Sequence, residues 1–295
     1  VNVKNLKPYI LLFLMSVLWG GAFTAAKIAV SDFSPISIIF YRFSLAFIIM
    51  VLILFIFYKE KFSYQNFFKC LPTGLTGVFL YNFLWVTGLN YTYAGKASII
   101  IAINPVFTAI LAFFIFGERL NLKKIIGVIM AFTGVSLIIV DGNFTAQIFS
   151  ANKGDFIVLS AAVFWSVYTL IGKKVLQNIS AFESVTYSCF WGSLFMLPIF
   201  IFTNFDSLEQ GTAVSWASIG YLAVFATVLS FVWFYKGVKD IGAGKAASFI
   251  YFVPFFGVLI SVLVLGEPLT VYLIIGGILI IAGIYLINRE RQAAK

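Results

Sequence analysis

The chain has no histidine, only two cysteines and few charges, and each shortage removes a class of chemistry. Without His it lacks the commonest metal ligand, the ordinary proton carrier near pH 7 and any Ser/His nucleophilic pair. Cys70 and Cys189 stand apart in apolar runs, so neither a disulfide framework nor a zinc site is indicated, and both read as small buried residues. Charged residues fill 11% of 295 positions, against about 25% in soluble domains, so this surface cannot mostly face water. The acidic residues around the apolar runs, Asp32, Glu118, Asp141, Asp155, Glu183 and Glu267, all fall near the ends of those runs. A mid-membrane carboxylate of the kind used in proton relays is therefore missing, which favours facilitated flux or exchange over proton antiport unless Glu183 is drawn inward. There is no Walker loop, HExxH or Asp-rich cluster, so an enzyme is not expected, nor a cofactor or bound metal.

What is present is apolar: 62% hydrophobic residues, 35 of them Phe, with a mean hydropathy of +1.04. Runs of about 20 apolar residues recur along the whole length, the mark of an all-α integral membrane protein. Punctuation places ten transmembrane helices near 9–30, 34–57, 68–89, 95–116, 122–140, 154–174, 181–203, 215–236, 244–265 and 270–288. The first run is too long for a signal-peptide core and has no evident small-residue cleavage site, so it reads as a retained span. Separators include Lys173-Lys174, Lys236 to Asp240, and the Gly117-Glu118 and Gly266-Glu267 corners. The net charge of +9 is scattered between spans rather than gathered on one polar face, so it orients the chain and implies no nucleic-acid partner.

The chain repeats itself. Ala94-Gly95-Lys96-Ala97, Pro105, Gly117-Glu118-Arg119-Leu120, Gly127 and Gly134 return 149 residues later. The second set is Ala243-Gly244-Lys245-Ala246, Pro254, Gly266-Glu267-Pro268-Leu269, Gly276 and Gly283. Two five-helix repeats follow, residues 1–142 and 154–295, joined by a connecting loop at 143–153. With the N-terminus cytoplasmic, sixteen Lys and Arg lie inside and four (Lys27, Arg42, Lys96 and Lys153) in the outer half, so both termini are expected in the cytoplasm of a multi-pass cell-membrane protein. Five spans per repeat is an odd number, so the second repeat starts from the opposite face and the two are inverted. In that architecture a midplane site opens alternately to each side.

These residues resemble the EamA family of the drug/metabolite transporter (DMT) superfamily. The resemblance rests on Asn104-Pro105-Val106-Phe107 with Gly117-Glu118-Arg119-Leu120, and on Pro254 with Gly266-Glu267-Pro268-Leu269. Leu18-Trp19-Gly20, Tyr41-Arg42-Phe43 and Phe164-Trp165-Ser166 are similar to the family as well. It implies a non-ATP secondary transporter exporting a small metabolite, amino acids or related amphipathic compounds. A multidrug or nucleoside-type carrier is the alternative, and a non-transporting membrane enzyme or sensor a more distant one. Membrane lipid and the small-molecule substrate are the expected partners, with monomer and homodimer both open. Tyr187-Ser188 stands where the second repeat would carry the counterpart of Tyr41-Arg42, so the Arg42 charge has no twin.

Candidate binding residues follow from depth and chemistry. Arg42 lies about eight residues, or roughly 12 Å, into its span, where a guanidinium needs a partner or a wet cavity. It either attracts a substrate carboxylate, or pairs with Asp32 or Glu267, or bonds backbone carbonyls. Lys27 is close enough to the surface to snorkel. Trp19, Tyr81, Trp85, Trp165, Tyr168, Tyr187, Trp233 and Tyr251 are rings with polar tips inside spans, joined by the amides Asn82 and Asn104. They line a partly polar cavity or serve packing. Pro105 and Pro254 each remove a helix hydrogen bond and should kink their spans, as hinges or as packing kinks. Gly117 and Gly266 can end helices in the left-handed conformation, which sets Glu118 and Glu267 to cap the helices that follow or to take part in ion coupling.

Overall fold

A computed structural model of the chain describes residues 6–58, 62–117, 121–141, 152–177, 179–204 and 211–293. Among them the regular structure is all-helical. Helix α1 is Lys7–Ala29, and α2 is Pro35–Ile53 continued by a π-helical turn, Leu54–Tyr58. Helix α3 spans 64–88 and contains the π-helical stretch Gly74–Leu80. Helix α4 is Ala94–Phe116, α5 Leu122–Val140, α6 Lys153–Val175 and α7 Ala181–Asn204. Helix α8 is Ala213–Ile241 with a π-helical stretch at Val224–Leu229. Helix α9 runs from Ala243 to Leu265 and α10 is Val271–Ala293. Eight of these, α1, α2 and α4 to α9, are long and apolar enough to cross a membrane, and α10 adds the shorter apolar stretch Val271–Ile287.

Local chemistry sets the ends. Ser34, Asn121 and Thr212 each turn a side-chain oxygen onto a backbone N–H of the first turn they precede, satisfying one of the free donors there. Gly117 and Gly266 close α4 and α9 with φ of +65° at both, a conformation other residues adopt only at a cost. Two expected separators are absorbed into helix: Lys173-Lys174 lies in the last turn of α6, and α8 continues through Lys236 and Asp240 to Ile241. Lys173, Lys174 and Lys239 stand in last turns, where a cation favours the helix dipole.

The prolines do something other than kink a continuous helix. Helix α4 stops at Ile101 and restarts at Asn104–Phe116, with Pro105 in the first turn of the new segment. Helix α9 passes through a 3₁₀ turn, Phe249–Phe252, and restarts at Val253–Leu265, with Pro254 in the matching place. A proline in a first turn forfeits no helical hydrogen bond, because that N–H has no intrahelical partner. The result is a pair of broken helices rather than a pair of bends.

The packing has an internal regularity. Helix α5 lies along α10, and α2 against α7; α1 packs on α8 and α9, and α6 on α3 and α4; α2 meets α8 and α7 meets α3. Exchanging each helix with the one five places later maps this set of contacts onto itself. The α5–α10 contact is the tightest. A Cβ on Gly127 would stand 2.6 Å from the Gly283 carbonyl oxygen, and one on Gly134 would stand 2.5 Å from that of Gly276. Position 127 faces 283 and 134 faces 276, so the two helices run antiparallel with their backbones in contact, as small residues permit in membranes. Large apolar side chains on the outside of the bundle, such as Phe114, Phe202, Leu263 and Ile278, are exposed. That surface suits hydrocarbon rather than water.

Candidate functional site

The end of the bundle where α1 begins is called proximal here, and the end where α1 finishes, distal. Between them lies a cavity of about 180 Å³ reached by Trp19 and Phe23 of α1, Arg42 of α2, Tyr81, Asn82 and Trp85 of α3, Asn104 of α4, Trp165 and Tyr168 of α6, and Ser188 and Cys189 of α7. A second cavity of about 270 Å³ adjoins it at the breaks of α4 and α9, lined by Asn104, Pro105, Thr108, Tyr251 and Pro254 among others. Phe23, Ile101, Asn104, Trp165, Ile250 and Val253 border both. The broken helices are what open this space, because a half-helix end leaves room that a continuous helix would fill.

Arg42 is the charge in the site. It is 8% exposed and sits over the Phe43 ring at 4.6 Å. Its Nε donates to Thr227 Oγ1 at 3.0 Å and its Nη1 to Asn82 Oδ1 at 3.2 Å. Both acceptors owe their orientation to the π-helical stretches. Asn82 Nδ2 donates to the Gly77 carbonyl, five residues back, at 2.9 Å, and Thr227 Oγ1 donates to the Leu222 carbonyl, five residues back, at 2.8 Å. Those bonds orient the two side chains so that their oxygens face the guanidinium. Trp85 Nε1 donates to the same Asn82 oxygen at 2.9 Å. The two π-helical stretches lie in α3 and α8, so Arg42 is held between corresponding places of the two halves. π-turns often mark such sites.

Neither carboxylate expected to neutralise Arg42 reaches it. Asp32 accepts from Thr212 N at 2.9 Å, Thr212 Oγ1 at 2.6 Å and Ser215 Oγ at 2.7 Å, fastening the α1–α2 turn to the start of α8. The Thr212 hydroxyl foremost, then Ser215 and the Thr212 amide, hold its carboxyl at about 2. Glu267 does not cap the helix that follows it. Its Oε1 takes the Ala94 N–H at 2.7 Å and its Oε2 the Gly95 N–H at 2.9 Å, so it caps α4 across the molecule. Glu118 lies outside the described residues. Lys27 does not snorkel to the surface either; its ammonium donates to the Leu89 and Thr92 carbonyls, the latter at 2.8 Å. Lys96 and Asp155 form a buried ion pair at 2.7 Å, which Thr92 joins through its hydroxyl.

Aromatic faces make the rest of the wall. Tyr81 and Trp165 stand 4.7 Å apart between centroids, Trp165 and Tyr168 5.1 Å, Phe23 and Trp85 5.2 Å, and Trp19 and Phe231 5.5 Å. Trp19 Nε1 is satisfied by the Ala226 carbonyl at 2.8 Å. Asn104 Oδ1 is buried at the junction of the two cavities without a hydrogen-bond partner.

Of the residues singled out in the sequence, Trp19, Arg42, Tyr81, Asn82, Trp85, Asn104, Trp165 and Tyr168 come together around one cavity, and Tyr251 borders the second. Two lie elsewhere. Tyr187 is buried near the proximal end, 5.8 Å from Phe62 and 5.4 Å from Phe67. Trp233 packs against the cluster of Leu12, Met15 and Ala246. Glu183 is drawn inward, 5% exposed, and accepts from Asn66 Nδ2 at 3.2 Å. Thr227, Phe23 and Phe231 escaped the sequence reading. Phe23 follows Trp19 by four residues on one helix face, a spacing that could have placed it; Thr227 offered only a hydroxyl in an apolar run.

The model of the EamA-like transporter family matches residues 6–140 and again 152–289. The chain belongs to that family. It is a multi-pass membrane protein whose relatives are named as transporters. An uncharacterized transporter of Bacillus subtilis, YyaM, is 33% identical over 96% of this chain and 93% of its own. An uncharacterized transporter of Archaeoglobus fulgidus is 31% identical over 98% and 99%. The probable terminal-alkyne amino-acid exporter of Streptantibioticus cattleyicolor is 28% identical over 95% and 92%. A solved crystal structure, 18% identical, covers 98% of this chain and 99% of its own with a TM-score of 0.65, and shares the fold.

Proposed function

We propose that this EamA-family protein is a secondary carrier, not an enzyme, that exports a small amphipathic metabolite bearing a carboxylate, an amino acid or a related compound. The observation that carries this reading is Arg42, buried in an aromatic cavity with only neutral hydrogen-bond partners. Burying a cation beside neutral groups costs several kcal/mol unless an anion joins it. A substrate carboxylate, taken up by the guanidinium fork, supplies that anion. The rings offer an apolar body a surface to lie against.

Ten transmembrane helices in two inverted repeats, 1–142 and 154–295 joined by 143–153, fit the exchange symmetry of the contacts and the antiparallel glycine pairing of α5 and α10. Alternating access then follows from rocking one repeat on the other around the midplane cavity. The lysine and arginine distribution supports a proximal end and both termini on the cytoplasmic side of the cell membrane. The name of the 28% identical amino-acid exporter agrees with the substrate class. Cationic drugs fit less well, since Arg42 would repel them.

Purified protein in proteoliposomes, screened by counterflow across amino acids, nucleosides and cationic dyes, tests the reading. Carboxylated amphipaths should exchange, and should continue to do so when the proton gradient is collapsed. Arg42→Ala should reduce that exchange at least a hundredfold with protein still in the membrane; unchanged exchange in this variant would sink the anion site.

A further inference from the structure

We propose that the cavity selects a monoanion, with one carboxylate and no compensating ammonium, and that each transport cycle moves one net negative charge, so that an inside-negative membrane potential drives the substrate outward. This rests on the carrier reading above, narrows its substrate class from free amino acids to related acids without an ammonium, and adds the source of the driving force.

The charge inventory of the two cavities is the basis. Among the described residues, Arg42 is the only charged one on either wall. The remaining polar side-chain groups described there are hydroxyls, amides, indole N–H groups and one thiol, and the chain has no His. The described carboxylates nearest the distal side are all engaged: Asp32 with Thr212 and Ser215, Asp141 with Thr270, Asp155 with Lys96 and Thr92, Glu267 with Ala94 and Gly95. Glu183 bonds Asn66 and is outside both walls. The empty site therefore carries one positive charge. A monoanion brings it to zero, and a zwitterion leaves it at plus one. A buried ion without a counter-ion is the costly state, so the monoanion gives the loaded form that moves most easily.

An ammonium would find aromatic faces, which are a weaker partner than a carboxylate. The unpartnered Asn104 Oδ1 can accept from any one donor, and a neutral donor fills it without adding a second positive charge to the site. A hydroxyl or an amide N–H beside the carboxylate would satisfy it, as in a 2-hydroxy acid or an N-acylated amino acid with an apolar side chain. Arg42 stays with the protein throughout. During export the loaded movement is then close to neutral, and the empty return carries the guanidinium charge inward, the direction an inside-negative potential assists. No proton is needed to complete the cycle.

The test compares N-acetylphenylalanine and phenyllactate with phenylalanine on the full-length protein in proteoliposomes, with potassium diffusion potentials set by valinomycin and no pH gradient. The two monoanions should exchange at least tenfold faster than the zwitterion. Their steady-state distribution should shift tenfold for about every 59 mV imposed, the value for one charge. Equal or faster exchange of phenylalanine, or a distribution that ignores the potential, overturns the charge assignment and leaves the carrier reading standing. If none of the three is exchanged, the carrier reading fails, and quenching of the protein's tryptophan fluorescence then decides the charge question alone. Tenfold tighter binding of the monoanions would uphold it; equal binding, or none, would overturn it. Arg42→Gln should erase the preference and Arg42→Lys retain it, but the wild-type comparison stands if either variant folds poorly.

Discussion

The two ends of the bundle are fastened by different chemistry. At the distal end, charged groups reach from one half of the chain to the other: Glu267 to the start of α4, Asp155 to Lys96, and Asp32 to Thr212 and Ser215. At the proximal end one carboxylate, Glu183, reaches across to Asn66, and the rest of the cross-half contacts described are largely ring contacts and neutral hydrogen bonds. Phe67 meets Tyr187 at 5.4 Å, Phe190 at 5.0 Å and Trp191 at 4.9 Å, while Phe13 meets Phe252 at 6.2 Å and Phe256 at 5.3 Å. Charge-assisted bonds are strong, directional and lost over a short separation, whereas ring contacts slide and re-form at modest cost. The comparison suits a distal end held shut and a proximal end able to shift.

The sharpest way to break that contrast is at the buried ion pair. Lys96→Met leaves Asp155 uncompensated, and unfolding in detergent should show a loss of about 3–5 kcal/mol. The double variant Lys96→Met with Asp155→Leu should recover most of it, and failure to recover would mean the pair does more than satisfy itself. Glu267→Gln comes next, with about 1.5–3 kcal/mol lost from two charge-assisted bonds. The same variant should speed modification of Cys189 by an impermeant maleimide added from the distal side, because that thiol lines the cavity. At the proximal end Phe67→Leu should cost less than about 1.5 kcal/mol, since rings around it can repack. A larger loss there than at Glu267 would reverse the comparison.

The smallest effect concerns pH at Asp32. Its carboxyl ionises at about 2 in the folded protein, below the 3.8 of a free side chain, owing foremost to the Thr212 hydroxyl. A lowered value means stabilisation that is complete above the free value and is lost as pH falls towards 2. The difference in melting temperature between wild type and Asp32→Asn should hold steady from pH 8 to pH 5 and shrink below pH 4. A difference that instead vanished near pH 6 would assign the effect to another group.

Much of the scaffold could be read directly from residue types. Apolar run length located the helices, and Gly117 and Gly266 announced their own left-handed caps, because the signal and its structural cause sit in the same few residues. The same held for Arg42, whose depth alone demanded special surroundings. Partners across the bundle were not legible. Glu267 was assigned to the adjacent helix because capping is usually local, yet it caps a helix 173 residues earlier. The π-helical stretches Gly74–Leu80 and Val224–Leu229 left no trace in composition, since one extra residue per turn changes no side chain. Nor could periodicity separate Tyr187 and Trp233 from the cavity rings, because a ring on an all-apolar helix carries no label for the face it occupies.

The backbone contact of α5 with α10 has a mechanical consequence. These helices touch each other and α4 but have no comparable contact with α2, α3, α7, α8 or α9, so they form one edge of the bundle. Side-chain interfaces tolerate play because rotamers can adjust; carbonyl oxygens packed against glycine Cα atoms cannot. In the rocking proposed above, that edge would serve as the pin of a hinge. A small rotation about it would be magnified with distance, and α3 and α8, the helices that hold the acceptors of Arg42, stand away from that edge.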